Sequence, residues 1–257
     1  MLYRNFLLLP IVYCLLPVFL KAQEGTRTAN KDLEVGGKIL LVPFEPKLYM
    51  SEMDMQINRQ TKWNSKDICE NFRHQLDAQL KLKLQSTARV VSFYSDSAKM
   101  SKDLIYIYNS TNLSYDLIDK PTSATTASEK QTGIKNGQVA VEMNMDKKFM
   151  NTKLANTEVL SYLSKKYKTD YFVFVNELDI KNDPDSYDIA KDMYQREVIV
   201  HYSILDKGGK TITAGISSSR FSSKINEPKK IVALTFTPIA TNIAAKFSGL
   251  ISAPSQK

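Results

Sequence analysis

The stretch "TDYFVFVNELDI", residues 169–180, carries the strongest strand pattern in the chain. Residues 171–175 are all aromatic or β-branched, which is typical of a strand buried on both faces. Just before it, "NTEVLSYLSKKY" (156–167) has the spacing of a short amphipathic helix. A helix that leads directly into a buried strand predicts an α/β fold.

The segments that follow predict an antiparallel hairpin. In "REVIVHYSIL" (196–205) and "TITAGIS" (211–217) apolar residues alternate with others, and the intervening Gly208-Gly209 tolerates the positive φ of a tight turn. The acidic stretch 181–192 predicts a turn-rich excursion before the hairpin. After it, Pro238 predicts the first residue of a final helix, with Thr237 as its cap.

Upstream, "KILLV" (38–42) predicts a first strand that stops at Pro43-Phe44, followed by a long connection over 45–64. A helix over 64–86 has Asn64 or Ser65 as its cap, and a second strand is predicted at 88–94. The residues 101–119 predict another helix. The apolar stripe of the 64–86 helix consists of Ile68, Phe72, Leu76, Leu80 and Leu84.

Together these patterns predict an α/β fold: a mixed sheet of about five strands with helices packed on it, ending in an antiparallel hairpin and a C-terminal helix. We expect a single domain over 38–250, with a flexible insertion at about 120–138, where Ser and Thr are frequent, and a tail over 251–257.

The first 22 residues read as a signal peptide, with Arg4 before an apolar run and a cleavage position between Ala22 and Gln23. The polar residues 23–37 predict a flexible lead-in. The apolar run is interrupted by Pro10 and Pro17 and is short against the roughly 20 residues of a membrane span, so a retained anchor is the alternative. The leader predicts export to the periplasm, with association to the outer membrane as a further option.

Charge and cysteine content exclude several classes of function. The chain has 35 Lys and Arg against 27 Asp and Glu, and the basic residues are interleaved with acidic ones, which argues against a nucleic-acid partner. Without the leader only Cys69 remains, so an internal disulfide is impossible. Two histidines, His74 and His201, are too few for an ordinary zinc site without carboxylates.

No motif for catalysis or cofactor binding occurs: G-x-S-x-G, H-E-x-x-H and the Gly-rich phosphate loops are all absent. His201 is interpreted as a surface histidine or a satisfied core histidine. The acidic residues of 177–188 are interpreted as a solvated loop, because Pro184 and the lack of a following Gly disfavour a calcium loop. We therefore predict no catalytic, cofactor-binding or metal-binding residue, and no cofactor.

In order along the chain, "KILLVPF", "ARVVSFY", "YKTDYFVFVNELDI" and "VHYSILDKGGKTITAG" resemble the periplasmic α/β domain shared by the amino-terminal domain of TolB, the curli exporter lipoprotein family and the LpoB-type activators of wall synthases. The chain departs from them at Asn176, where a Gly is usual, and lacks the lipid-bearing cysteine. The resemblance implies a binding or assembly domain of the cell envelope. The leader's "AQ" ending is similar to exported proteins of the Bacteroidota, and "DSA" (96–98) resembles their O-glycosylation motif, with Ser97 as acceptor.

We therefore predict a non-catalytic periplasmic adaptor or assembly factor whose partners are envelope proteins, with peripheral contact to the outer membrane or wall. The candidate partner contacts lie beyond the Pro43-Phe44 stop, where flexible Met and rigid Tyr suit adaptable contacts, although these side chains also suit a core edge: Tyr49, Met50, Met53 and Met55. One alternative is an exported carboxylate-based hydrolase, favoured by a deep pocket that gathers two or more of Glu177, Asp179 and Glu197. Another is a wall- or polysaccharide-binding module with exposed tyrosines along a groove.

Overall fold

The structure, a computed structural model, describes residues 37–94, 97–117, 132–135, 138–141 and 148–252. Its strands are β1 (Lys38–Val42), β2 (Tyr49–Ser51), β3 (Arg89–Ser92), β4 (Thr111–Leu117), β5 (Thr132–Lys135), β6 (Gln138–Val141), β7 (Lys148–Leu154), β8 (Tyr171–Asp188), β9 (Met193–Asp206) and β10 (Thr211–Ser222). Its helices are α1 (Asp54–Thr61), α2 (Ser65–Leu84), α3 (Ser97–Asn109), α4 (Glu158–Tyr167) and α5 (Pro228–Ser252). The leader with its Ala22–Gln23 cleavage position, the lead-in through residue 36 and the tail from residue 253 lie outside the described residues.

The main sheet is mixed and follows the order β10-β9-β8-β1-β3, with β2 pairing β8 beyond the end of β1. β8, β9 and β10 are antiparallel to their neighbours in this series, whereas β1 runs parallel to both β3 and β8. The predicted mixed sheet with a terminal antiparallel pair and a C-terminal helix is thereby confirmed.

Helices cover both faces of this sheet. Strand β1 is apolar at every position after Lys38, so it has apolar side chains to bury on each face. Ile39 and Leu41 point to the side occupied by α2 and α5, which we call the α2–α5 face. Leu40 and Val42 point to the other side, where they pack with residues of α3 and α4; this is the α3–α4 face. Alternation along a strand therefore produces two separate apolar cores from one continuous apolar run.

Helix α2 forms as its sequence predicts. The Asn64 side chain accepts a hydrogen bond from the Asp67 N–H at 3.0 Å, which caps the first turn. Cys69 is buried and His74 is exposed, as expected for a small core thiol and a flank histidine. The predicted stripe is almost fully buried against the sheet and α5: Ile68, Phe72, Leu76, Leu80 and Leu84.

The stop at Pro43-Phe44 is structural. The Phe44 carbonyl accepts a hydrogen bond from Arg73 Nε at 2.7 Å, and the Pro43 carbonyl accepts one from the Tyr108 hydroxyl at 2.6 Å. The chain then makes a 3-10 turn at Pro46–Leu48 and rejoins the sheet as β2, alongside the same strand β8. β1 and β2 are thus two pieces of one interrupted strand position.

Two predicted segments have a different structure. The helix expected over 101–119 ends at Asn109, and Thr111–Leu117 forms β4, because its backbone pairs antiparallel with β7. The turn-rich excursion expected over 181–192 is strand as far as Asp188. β8 continues to pair with β9, and Pro184 lies in an irregular stretch where no ladder donor is required.

The expectation that Pro238 begins a helix was wrong, because Pro238 lies inside α5. A proline at this position leaves the Leu234 carbonyl without its helical donor, at a cost of roughly 3 kcal/mol in an unsupported helix. Ser219 Oγ of β10 lies 3.4 Å from this carbonyl and donates to it. The adjacent strand therefore supplies part of what the helix lacks.

The insertion predicted at about 120–138 falls partly on described residues. Thr132–Lys135 pairs antiparallel with Gln138–Val141, which gives a separate two-stranded sheet. Residues 118–131 lie outside the described residues.

Candidate functional site

A β-bulge in β8 creates the most polar part of the interior. Val175 pairs with Tyr202 of β9, and the next pair is Glu177 with His201, so Asn176 is an extra residue. Asn176 and Glu177 consequently both reach the antiparallel strand pair β4 and β7, which lies over the α3–α4 face. We call this pair the β4–β7 hairpin. Beyond the bulge the alternation resumes, so Leu178 returns to the α2–α5 face.

Buried polar side chains gather around this bulge. We call Asn176, Glu177, Asp179, His201 and Ser203 the polar cluster; each exposes less than a twentieth of its surface. Asn176 and Glu177 lie between the parts of β8 that pair with β1 and with β2, and the polar cluster lies beneath the β4–β7 hairpin.

The hairpin is attached to the polar cluster through hydrogen bonds. The Met150 N–H donates to His201 Nδ1 at 2.8 Å, and the Thr152 hydroxyl donates to Asn176 Oδ1 at 2.6 Å. Asn176 Nδ2 donates in return to the Met150 carbonyl at 2.8 Å. Ser203 Oγ accepts from the Thr152 N–H at 3.2 Å. Paired polar groups of this kind fix the position of the hairpin more than apolar contact alone would.

The two carboxyl groups of the polar cluster differ in their proton affinity. Burial raises the pKa of Glu177, and the neighbouring Asp179 charge raises it further. Burial also acts to raise the pKa of Asp179, but the contacts with His201 and with the Lys181 ammonium, whose Nζ lies 2.9 Å from Oδ2, outweigh it and lower the pKa. Of the two, Glu177 therefore keeps a proton to higher pH. Both of its oxygens lie 2.9 Å from the Tyr115 hydroxyl.

Glu177, Asp179 and His201 bring possible ligand atoms within 4.8 Å of one another, the spacing of a metal centre. The hydrogen bonding does not fit a metal. Because His201 Nδ1 accepts from the Met150 N–H, the neutral imidazole carries its proton on Nε2, which then has no lone pair for a metal. In addition, the Lys181 ammonium already forms an ion pair with the Asp179 carboxylate. These residues are better suited to bind a group by hydrogen bonds than by coordination.

A cavity of about 600 Å³ adjoins the polar cluster on the distal part of the sheet. Asp179 and His201 form its inner wall, Glu197 and Arg220 lie farther along β9 and β10, and Tyr115 stands at the hairpin side. Asp179 and Glu197, two of the three carboxylates named for a hydrolase, thus line one cavity. Glu177 is not part of its wall.

The predicted partner contacts divide into two groups. Met50 and Met55 are exposed, and Met50 pairs in register with Asp179. Met53 is fully buried in the core next to α1, so the prediction that it is a partner contact is wrong. It fills the core edge instead. Tyr49 is half-buried against the same core, and its hydroxyl donates to Asp54 Oδ1 at 2.6 Å.

Of the other predicted positions, Ser97 is the first residue of α3, and its side chain lies outside the described part of the chain. His201 is a buried histidine whose Nδ1 is bonded and whose Nε2 is not. The surface interpretation of His201 is wrong, because β7 covers the face of β9 on which it lies. The solvated interpretation also fails for Glu177 and Asp179, which are buried, whereas Asp185 is exposed.

Few features of the sequence predict the polar cluster. Alternation placed His201 opposite Val200 and Tyr202, but only the long-range pairing of β4 with β7 shows that this opposite face is covered. The available signal was the polar pair Asn176-Glu177 directly after five apolar residues, which is an irregularity typical of a bulge.

Comparisons with known proteins give distant similarities. The chain is similar to the lipoprotein GNA1162 from Neisseria meningitidis, with 13% identity and a TM-score of 0.36 over 81% of this chain and 99% of that one. It is similar to the hypothetical protein CT253 from Chlamydia trachomatis, with 12% identity and a TM-score of 0.41 over 85% and 99%. A third similarity, to a putative lipoprotein from Caulobacter crescentus, has 11% identity and a TM-score of 0.22 over 38% and 86%.

No family model and no curated protein matches the sequence. The structural similarities are too distant to carry an argument, so the resemblance to TolB-type domains and to the Bacteroidota stays a prediction.

One helix among the described residues is long and apolar enough to cross a membrane, judged by length and composition: Pro228–Gly249, with a mean hydropathy of 1.2. Half of that segment is buried inside the fold, where α5 packs against α2 and β10. This is the position of a core helix in the described structure.

Proposed function

We propose that this chain is a non-catalytic envelope protein that acts by binding another protein at the β2–α1 segment. Its placement in the envelope is supported by the leader sequence, which has the composition of a signal peptide. Its action by contact is supported by one observation, the pair of exposed methionines Met50 and Met55.

The two methionines are exposed by 57% and 64%, although the segment that carries them is well held. The Tyr49 hydroxyl bonds Asp54, and the Glu52 N–H donates to the Ile180 carbonyl at 2.9 Å. Flexible, polarisable side chains on a fixed backbone suit an adaptable protein contact.

Photo-cross-linking in whole envelopes tests this proposal. A photoreactive residue replaces Met50, Met55 or, as a matched control on α2, Leu82, whose side chain is 60% exposed. We expect one discrete adduct, the same from Met50 and Met55 and absent from Leu82. We also expect the adduct from Met50 to be lost in Met55→Lys, and the adduct from Met55 to be lost in Met50→Lys, while Leu82→Lys leaves both unchanged. Equal labelling from all three positions, or adducts that survive the lysine substitution of the other methionine, contradict the proposal.

The second candidate is a carboxylate-based hydrolase, which is favoured by Asp179 and Glu197 lining one cavity. Two carboxyl groups on opposite sides of a scissile bond provide acid and base or nucleophile in glycoside hydrolysis. Wall-polymer and oligosaccharide turnover by the wild type, and its loss in both Asp179→Asn and Glu197→Gln, would support this candidate. Turnover that is absent, or equal in the variants, would remove it.

A further inference from the structure

Two atoms of the polar cluster have no hydrogen-bond partner, His201 Nε2 and Asp179 Oδ1. The residues that carry them are only 4% and 2% exposed, yet both form the wall of the 600 Å³ cavity. An unsatisfied buried polar group destabilises a fold, so two of them on neighbouring residues of a cavity wall call for an explanation. A ligand with complementary atoms supplies one.

The ligand group must accept a hydrogen bond from His201 and donate one to Asp179. Nε2 carries a proton, because Nδ1 is an acceptor for the Met150 N–H, whereas an ionised carboxylate only accepts. Nε2 and Asp179 Oδ2 are 3.8 Å apart. The Lys181 ammonium holds Oδ2, so the ligand contacts Nε2 and the neighbouring Oδ1 of the same carboxylate. A hydroxyl group is both acceptor and donor and meets the requirement alone.

The charges along the cavity disfavour an ionic ligand. The Lys181 ammonium pairs with Asp179 at 2.9 Å, and Arg220 pairs with Asp183 at 3.4 Å. An anion would approach the Asp179 carboxylate, and a cation would meet the protonated Nε2 of His201 and Lys181. Charges of both signs line this cavity, and two pairs of them are already formed, which suits a neutral polar molecule.

The cavity also offers an apolar surface. The half-exposed ring of Tyr115 stands at one side, nearly perpendicular to the His201 ring with the centroids 6.2 Å apart, and Ile199 and Ile216 also line the cavity. A pyranose ring presents hydroxyls at its rim and C–H groups on its faces, which match polar and apolar walls together. The volume is within the range of small-ligand sites.

We propose that this cavity binds a neutral hexopyranose unit, with one ring hydroxyl held between His201 Nε2 and Asp179. The Lys181 ammonium stays paired with Asp179 Oδ2, which leaves Oδ1 for the ligand hydroxyl. This site is independent of the protein contact at Met50 and Met55, and either proposal stands if the other fails.

Histidine 15N NMR of the mature chain tests the site directly, because the protein has two histidines and His74 is an exposed internal reference. The probes are cellotriose, mannotriose, galactotriose and N-acetylchitotriose, with CaCl2 and inorganic phosphate as ionic comparators. We expect saturable movement of the His201 Nε2–H signal with at least one trisaccharide, with no change at His74 and none with either ion.

Variants assign the contact. His201→Gln and Asp179→Asn are expected to weaken binding of the responding trisaccharide about tenfold each, the effect of losing one hydrogen bond to a charged or buried partner. His74→Gln is the matched control and should bind as the wild type does. If His201→Gln fails to fold, the wild-type spectrum and Asp179→Asn still decide the matter.

Three results overturn the proposal: no saturable shift with any of the four saccharides, a shift produced by calcium or phosphate instead, or saccharide binding of unchanged affinity in Asp179→Asn. A crystal or NMR structure in which only a water bridges His201 and Asp179 while saccharides do not bind leads to the same conclusion.

Discussion

On the α2–α5 face of the main sheet, Val173, Leu178 and Val200 meet helix side chains such as Phe72 and Phe236, all fully buried. On the opposite face, the same strands meet β7 through His201, Asn176 and Ser203, and the contacts are hydrogen bonds. The first attachment depends on area removed from water, and the second on atoms in particular positions. One sheet can therefore have a face whose packing depends little on individual polar atoms and a face whose packing depends on their exact positions.

The largest test of this comparison removes apolar area from the α2–α5 face. Phe72 is fully buried against Phe236, with their rings edge to face and the centroids 5.6 Å apart. We expect Phe72→Ala to lower the free energy of unfolding by about 3–5 kcal/mol, through lost burial and the cavity left behind. Urea denaturation followed by circular dichroism measures it. His74→Ala, exposed on the same helix, should change the value by less than about 0.5 kcal/mol. A loss under about 1 kcal/mol for Phe72→Ala would mean that this face does not carry the stability assigned to it.

The next test uses Asp77, a carboxyl group buried at the edge of the same apolar face. Burial raises its pKa to about 6 from 3.8, although the Ser92 hydroxyl donates to it at 2.6 Å. Since the folded state holds this proton more tightly than the unfolded state, stability is greatest at low pH and falls as pH rises through the folded pKa. From these pKa values, we expect the Asp77 contribution to fall by about 2 kcal/mol between pH of about 4.5 and about 8.

Urea titrations of wild type and Asp77→Asn at both pH values measure this contribution as their difference. Asparagine does not ionise, so the variant should lack that part of the fall. Identical pH profiles for the two proteins would show that Asp77 ionises without cost in the folded state.

On the α3–α4 face, beneath the β4–β7 hairpin, Ser203→Ala is expected to cost about 1–2 kcal/mol, because the Thr152 N–H loses its partner and Asn176 Nδ2 loses one of two. The deleted hydroxyl removes almost no apolar area. Hydrogen exchange should show the added opening in β4 and β7 rather than in α2. Ser161→Ala, exposed on α4, is the control and should change stability by less than about 0.5 kcal/mol. Exchange that increases equally in α2 would place the two faces in one cooperative unit.

The smallest effect is expected from Glu177→Gln. The raised pKa of Glu177 means that the wild type loses stability as pH rises through the folded pKa of this group, whereas glutamine keeps an acceptor for the Tyr115 hydroxyl and never ionises. The stability of the variant relative to wild type should therefore increase with pH above about 4.5. Paired thermal melts across that range measure it. A relative stability that decreases with pH would mean that Glu177 is stabilised as the anion.

Local patterns predict most of the fold because they depend on neighbours in sequence. The α2 stripe, the Asn64 cap and the apolar run of β8 follow from periodicity and capping, and the structure has all three. Pro238 was misread because its compensation comes from Ser219, on another element.

The polar cluster was not predicted for the same reason. His201 and Glu177 are covered by β4 and β7, and these two strands are too far apart in the sequence for a local pattern to reveal their pairing. Met50 and Met53 show the limit most simply. They are three residues apart, and tertiary packing decides their exposure: Met50 faces outward from β2, and Met53 is buried next to α1.

Strand β2 has three residues, and its register determines which side chain the protein presents to its surroundings. Tyr49 pairs with Leu178 and faces the core, and Met50 pairs with Asp179 and faces outward. A slip of one residue would exchange them, because successive side chains of a strand point to opposite faces. The Glu52 carboxylate, which accepts from the Asn182 N–H at 2.8 Å, opposes that slip. The register of this short strand on β8 therefore has two alternatives. The Glu52 carboxylate just beyond its end favours the one in which Met50 faces outward.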